Sequence, residues 1–305
     1  MPTRNGSFRL FQIFGITVYL HWAWFLAILY IAETRRGLYT SVLWNVLECL
    51  TLFLIVLIHE FGHALACRSV GGQANQIVLW PLGGVAYVAA PQRPGAQLWS
   101  IAAGPLVNVV LVPVLSVIWW LAYNAGATDD TNVGNYVEAV WWINLVLLIF
   151  NMLPIYPLDG GQILRSLLWF IVGRARSLMA ACIIGFIGAA GLIVLAIFTQ
   201  SVWTGAICVF ICLQCFASFK QAREMLKLEK APRHEGYHCP SCKAAPPAGD
   251  FWNCGKCRKK FDAIATQLTC PHCGTHYERV ACFECGTASP LADWLGAPAS
   301  SPPPQ

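Results

Sequence analysis

Charge is what this sequence has least of. Only 11% of its 305 residues are Asp, Glu, Lys or Arg, against about 25% in an ordinary soluble domain, while 57% are hydrophobic. That scarcity excludes a soluble globular chain and a disordered one, since both depend on many groups that water can solvate. No small-residue cleavage site follows the first apolar run, Val18 to Ile31, so the run is expected to stay as a membrane helix and not to be removed as a leader. Histidine is scarce as well: of seven, only His21, His59 and His63 fall in the first 230 residues.

What is present comes in apolar blocks. Six segments stand out: Val18 to Ala32, Leu43 to Ile58, Ser100 to Tyr123, Tyr136 to Phe150, Leu178 to Phe198 and Val202 to Phe219. Some fall short of the roughly 20 residues an untilted span needs, so tilt or extension is expected. Arg4, Arg9, Arg68, Arg93, Arg165, Arg174, Arg176 and the basic stretch from Lys220 to Arg233 mark one side of the membrane. Positive loops stay in the cytosol, so both termini are expected there. Arg35 and Arg36 break this pattern. The net charge of +5 is explained by the same loops, and nucleic acid is not an expected partner. Phe8 to Val18 reads as a strand or amphipathic stretch, and Gln76 to Ala90 as a hairpin or re-entrant loop; backbone of that kind at membrane depth must be buried in protein or line a wet cavity.

The second apolar segment runs into Ile58-His59-Glu60-Phe61-Gly62-His63. Histidines at i and i+4 share a helix face and can hold one Zn²⁺, and Glu60 beside them can accept a proton from water activated there. Ionisable groups inside an apolar span are costly and by default functional. A zinc site needs a third protein ligand, and the other acidic residue embedded in apolar sequence is Asp159, in Asn151-Met-Leu-Pro154-Ile-Tyr-Pro157-Leu-Asp159-Gly-Gly161. Its prolines and glycines break the fourth helix, as happens where backbone must face a site. His59 lies 16 residues past Leu43, and Asn151 15 past Tyr136, about 24 and 22 Å along two helices that enter from the same side. Both motifs therefore reach the same membrane face. Two rivals, Cys67 and Glu48 on the catalytic helix, rank below Asp159, because a free Cys is a common buried residue and Glu48 suits the wall of a wet cavity.

Together HEFGH and NMLPIYPLDGG resemble the site-2 protease family of intramembrane metalloproteases, over roughly Phe8 to Phe219, in its compact six-helix branch without a PDZ insertion. The resemblance implies that His59, His63 and Asp159 are zinc ligands, that Glu60 is the general base, and that Asn151 helps hold the substrate backbone or the oxyanion. Ala103-Gly104-Pro105-Leu-Val-Asn108 looks like a further family element, a small-residue turn that brings the third helix close to the catalytic one. Asn108 then either lines the substrate site or serves helix packing.

The rest of the chain is polar and rich in cysteine. Four C-x-x-C pairs, Cys239/Cys242, Cys254/Cys257, Cys270/Cys273 and Cys282/Cys285, have the spacing of Cys₄ structural zinc sites and resemble zinc ribbons. Sequential pairing would give two small ribbons, and crossed pairing stays open. A disulfide framework fits poorly with a tail placed in the reducing cytosol. Without a basic-aromatic stripe beyond Arg258, Lys259 and Lys260, the ribbons suit a cytosolic protein partner better than nucleic acid. His21, Cys49, Cys182, Cys208, Cys212 and Cys215 receive no chemistry; the last three share a helix face and read as small-residue packing.

The expected fold is an all-α polytopic membrane protein of about six transmembrane helices with short membrane-associated β segments, plus a small cytosolic zinc-ribbon domain. Its expected divisions are a metalloprotease domain over 1–230, ribbons over 231–290 and a disordered tail over 291–305. The expected activity is zinc-dependent hydrolysis in or near the transmembrane segment of a single-span membrane protein in the lipid bilayer, with one catalytic and two structural zinc ions. A non-catalytic zinc-containing receptor or scaffold is the alternative, and an intact Glu60 argues against it.

Overall fold

A computed structural model describes residues 6–35, 37–80, 83–200 and 202–295. The chain divides into two compact units, Met1–Lys220 and Gln221–Gln305. The first unit begins with a hairpin, β1 (Ser7–Ile13) and β2 (Ile16–His21), then a short helix α1 (Trp24–Thr34) and the long α2 (Val42–Ser69). A second hairpin follows, β3 (Gln73–Trp80) and β4 (Gly83–Ala89), then α3 (Pro94–Asn124), α4 (Asn132–Met152), α5 (Asp159–Val172), α6 (Arg174–Thr199) and α7 (Val202–Lys230).

The four strands form one sheet in the order β1-β2-β3-β4, antiparallel within each hairpin and parallel between β2 and β3. That parallel pair requires a long crossover, which α1 and α2 supply. The first hairpin turns on Phe14 (φ 49°) and Gly15 (φ 70°), the two positive-φ positions that a tight two-residue turn demands. Both segments read from the sequence as extended are strands; the turn of the second, Pro81 and Leu82, lies outside the described residues. Ile16, Val18, Ile77 and Leu79 are fully buried and pack with Val56, Leu57, Ala64 and Cys67 of α2. The sheet is thus pinned to the helix that carries HEFGH. Arg68 ties the two together again, donating from Nε to the carbonyl of Ala74 (2.9 Å) and from its guanidinium to Phe14 and Gly15.

Among the described residues, five helices are long and apolar enough to cross a membrane: α2, α3, α4, α6, and α7 from Thr204 on. They match five of the six apolar segments. The first segment differs. Its residues Val18–His21 are spent on β2, and α1 keeps 11 residues, about 16 Å against a hydrocarbon core of about 30 Å. The fourth segment is broken after Met152, and the chain resumes as α5 at Asp159.

The second unit holds small hairpins, β5 (Trp252–Asn253) with β6 (Lys260–Phe261) and β7 (Val280–Ala281) with β8 (Ala288–Ser289). Part of the segment expected to be a disordered tail is ordered: Leu291–Trp294 form a 3-10 helix, and Trp294, 1% exposed, packs in a core with Cys239, Cys254 and Phe261. Residues 296–305 lie outside the described residues.

Candidate metal centre

Three donor atoms meet at the crossing of α2 with α3 and the start of α5. His59 Nε2 lies 3.0 Å from Asp159 Oδ2 and 3.1 Å from His63 Nε2, and His63 Nε2 lies 3.4 Å from Asp159 Oδ2. The edges of a tetrahedron around zinc with bonds of about 2.0–2.1 Å are about 3.3 Å, so the spacing suits that ion. His59, His63 and Glu60 are buried at 3%, 8% and 5% exposure, and Glu60 lies with both histidines in one group whose ligand atoms are within 4.8 Å of one another.

Space for an ion is kept by Gly104. A Cβ there would overlap His63 Nε2 and lie 2.8 Å from His59 Nε2. At Gly62 a Cβ would stand 2.7 Å from the Ala103 carbonyl, so a pair of glycines sets the close approach of α2 and α3. The stretch 103–108 was expected to be a turn; it lies inside α3, with Pro105 in mid-helix.

The other ring nitrogens are held from behind. His59 Nδ1 donates to Asn108 Oδ1 (2.5 Å) and His63 Nδ1 to the Ser100 carbonyl (2.9 Å). Protons fixed on Nδ1 leave each Nε2 lone pair facing the other donors, the arrangement a metal-binding imidazole requires. Nitrogen and oxygen donors of this kind fit zinc.

Asp159 arrives by a short connection. Pro154 and Pro157 cannot continue α4, and residues 153–158 form a loop closed by Leu158 N donating to the Ile155 carbonyl (2.8 Å) and Gln162 Nε2 to the Pro157 carbonyl (2.9 Å). Gly160 and Gly161 admit this loop, because a Cβ at either would run into its backbone. Cys215 of α7 donates from its thiol to the Tyr156 carbonyl (2.8 Å), so part of the cysteine face on α7 supports the loop that carries Asp159.

Asn108 differs from the expectation that it lines a substrate path. It is 0% exposed and its amide is occupied by His59 and Asn144, leaving no surface for a substrate. Asn151 sits partly exposed on the last turn of α4. Of the rivals, Cys67 turns its thiol to the Gln73 carbonyl (3.6 Å). Glu48 accepts from the Tyr39 hydroxyl (2.7 Å) and pairs with Arg35 (3.5 Å), so it is partnered within the protein. His21 stacks on Trp80 with ring centroids 3.7 Å apart. Sequence reading passed over Asn144 and the Ser100 carbonyl. A lone asparagine in the apolar run from Tyr136 to Phe150 was the available signal for the first; a main-chain carbonyl leaves none.

In the second unit the cysteines pair by nesting, the first knuckle with the fourth and the second with the third: Cys239, Cys242, Cys282 and Cys285 form one group and Cys254, Cys257, Cys270 and Cys273 the other. This departs from sequential pairing. Sulfur separations of 3.5–3.7 Å compare with about 3.8 Å along the edge of a zinc tetrahedron with Zn–S bonds of about 2.3 Å. The Cys257 N–H and the Tyr277 hydroxyl hold the Cys254 thiol down at about 5. Thr287, through its hydroxyl and N–H, holds Cys285 down at about 6. The thiolate form that binds metal is thereby favoured at these two sulfurs, whereas burial pushes Cys282 up to about 12. Burial alone would raise the Asp262 carboxyl, yet the N–H groups of Ala265 and Gly249, together with His234, keep it below its ordinary value.

Comparison with known proteins agrees with this geometry. The model of peptidase family M50 matches residues 48–124 and 113–195. A zinc metalloprotease of Methanocaldococcus jannaschii is 34% identical over 183 residues, 59% of this chain and 51% of that protein. Stage IV sporulation protein FB of Bacillus subtilis is 35% identical over 119 residues, 38% of each chain. Among solved structures, the site-2 protease from Methanocaldococcus jannaschii matches with a TM-score of 0.54 at 28% identity, covering 70% of this chain and 95% of that one. The chain spans about half the length of the curated relatives it matches.

Proposed function

We propose that the chain is a member of peptidase family M50, whose model it matches over residues 48–124 and 113–195, and that it is a zinc-dependent endopeptidase that cuts a peptide bond in or near the transmembrane segment of a single-span membrane protein. The observation that carries this reading is the meeting of His59 Nε2 and His63 Nε2 of α2, a helix apolar enough to cross a bilayer, with Asp159 Oδ2 at the start of α5, beside buried Glu60.

His59, His63 and Asp159 are the residues that would hold the zinc. Bound there, zinc supplies Lewis acidity, which ionises water near neutral pH and polarises a carbonyl. Glu60 accepts a proton from the attacking water and delivers it to the amine nitrogen that leaves, so a C–O bond forms as the C–N bond breaks. Asn151, partly exposed eight positions before Asp159, donates its amide N–H to the substrate carbonyl as charge builds on that oxygen. A substrate helix must unwind first, because its carbonyls are already hydrogen-bonded. The edge strands β1 and β4 offer backbone partners for the extended peptide; proline substitutions along β4 that leave cleavage unchanged would remove that strand from the mechanism.

Both termini face the cytosol in this reading. Of the two exceptions to the distribution of positive charge, Arg35 is paired with Glu48 and Arg36 lies outside the described residues. Two further zinc ions hold the nested cysteine groups, and the ribbons dock a cytosolic protein or the substrate's cytosolic tail.

Co-expression with tagged single-span substrates, comparing wild type with Glu60→Gln and measuring bound zinc in both, tests the central claim. Cleavage is expected only with Glu60 present, with zinc retained in both. A broad panel left uncut by zinc-loaded wild type would instead make the protein a receptor or scaffold.

A further inference from the structure

Two asparagines stand side by side in the apolar interior of the first unit, Asn108 of α3 at 0% and Asn144 of α4 at 1% exposure. Leaving a buried amide unsatisfied is costly, and here the amide groups are used in one direction. His59 Nδ1–H donates to Asn108 Oδ1 (2.5 Å), Asn108 Nδ2 donates to Asn144 Oδ1 (2.8 Å), and Asn144 Nδ2 donates to the main-chain carbonyl of Asn108 (3.1 Å).

A side-chain amide turned end for end keeps its shape and exchanges its donor for its acceptor. Asn108 in the turned form would aim an NH₂ at His59 Nδ1. That nitrogen would then have to accept, and the single proton of the neutral ring would move to Nε2, the atom facing His63 and Asp159. A protonated nitrogen has no lone pair for a metal. Asn144 opposes the turn, because its Oδ1 would meet the oxygen of a turned Asn108 while its own NH₂ stays committed to the Asn108 carbonyl.

We propose that Asn108 and Asn144 form a neutral latch in which Asn144, acting through Asn108, locks the ring of His59 with Nε2 open to the metal. Both are positioning residues, and the inference rests on the zinc reading above. A carboxylate often fills this role behind a metal-bound histidine. Here Asp159 and Glu60 already supply two negative charges to balance a divalent ion, and a third would leave excess charge buried in apolar surroundings. An asparagine supplies the acceptor without the charge.

The test is zinc affinity by chelator competition on the full chain in detergent, counting metal bound in excess of a His59→Ala reference that keeps the ribbons. Asn108→Leu is expected to weaken that binding about 10–100-fold, Asn144→Leu by less, and the double variant by no more than Asn108→Leu alone, because a residue acting through another adds nothing once the other is gone. Asn108→Asp keeps the acceptor and is expected to return affinity to within roughly tenfold of wild type. Unchanged affinity in folded Asn108→Leu, or losses that simply add, overturns the latch while leaving the protease reading intact. Should Asn108→Leu fail to fold, full affinity in Asn144→Leu overturns it equally. Wild type that holds no more zinc than the His59→Ala reference fells the zinc reading itself, and the latch with it.

Discussion

At Gly104 one methyl group would occupy the space beside His63 Nε2. Gly104→Ala is therefore expected to lose zinc from the first unit and to abolish cleavage, with helix content unchanged by circular dichroism. Asp262 is the matching single residue of the ribbons. Its carboxylate accepts from His234 Nε2 (2.9 Å), Gly249 N (2.6 Å), Ile264 N (3.1 Å) and Ala265 N (3.0 Å). Asp262→Asn removes an acceptor and adds a misplaced donor, at a cost of about 1–3 kcal/mol in denaturant melts of the ribbon unit. Its folded-state carboxyl sits below the ordinary 3.8, so this stabilisation is complete above that value and fades as pH falls through the lower, folded one. At this scale, the convergence of His59, His63 and Asp159 was legible, because helical spacing and depth are written in sequence numbers. The polar groups behind the rings were not, since a hydrogen bond to the Ser100 carbonyl involves no particular side chain on that residue.

Among elements, the four cysteine knuckles repeat one backbone shape. The residue after each second cysteine has positive φ: Lys243 63°, Arg258 61°, Gly274 70° and Gly286 75°. Glycine takes that conformation without steric cost, whereas a side chain pays about 1–2 kcal/mol. After the entropy that glycine adds to the unfolded chain, Lys243→Gly and Arg258→Gly are each expected to stabilise the ribbons by about 0.5–1 kcal/mol, read as a shift in the denaturant midpoint. The helices were legible wherever apolar runs lasted a span's length. The first run misled because hydropathy cannot separate a buried strand from a membrane helix: Val18 and its neighbours are apolar because β2 lies under α2, and only the residues after His21 turn helical. Pairing among the knuckles was illegible for a different reason, as four identical spacings carry no label for their partners.

For the whole molecule, the two cysteine groups differ in exposure. Cys242 and Cys285 are exposed, whereas no member of the group formed by Cys254, Cys257, Cys270 and Cys273 is. If each group holds zinc as proposed, a limiting chelator and a thiol-reactive dye are expected to strip the first group first, releasing four reactive thiols before the other four. Simultaneous loss would mean that the ribbons melt as one body.

The nesting also sets an order of manufacture. The inner ligands, Cys254 to Cys273, are contiguous in the chain, while the outer set reaches from Cys239 across them to Cys285. A chain leaving the ribosome can complete the inner cluster as soon as Cys273 emerges, but Cys239 and Cys242 must wait for the last knuckle, and short loops close before long ones. A messenger cut short between those two points would yield a membrane protein with one finished ribbon and two orphaned thiols, a marked substrate for quality control.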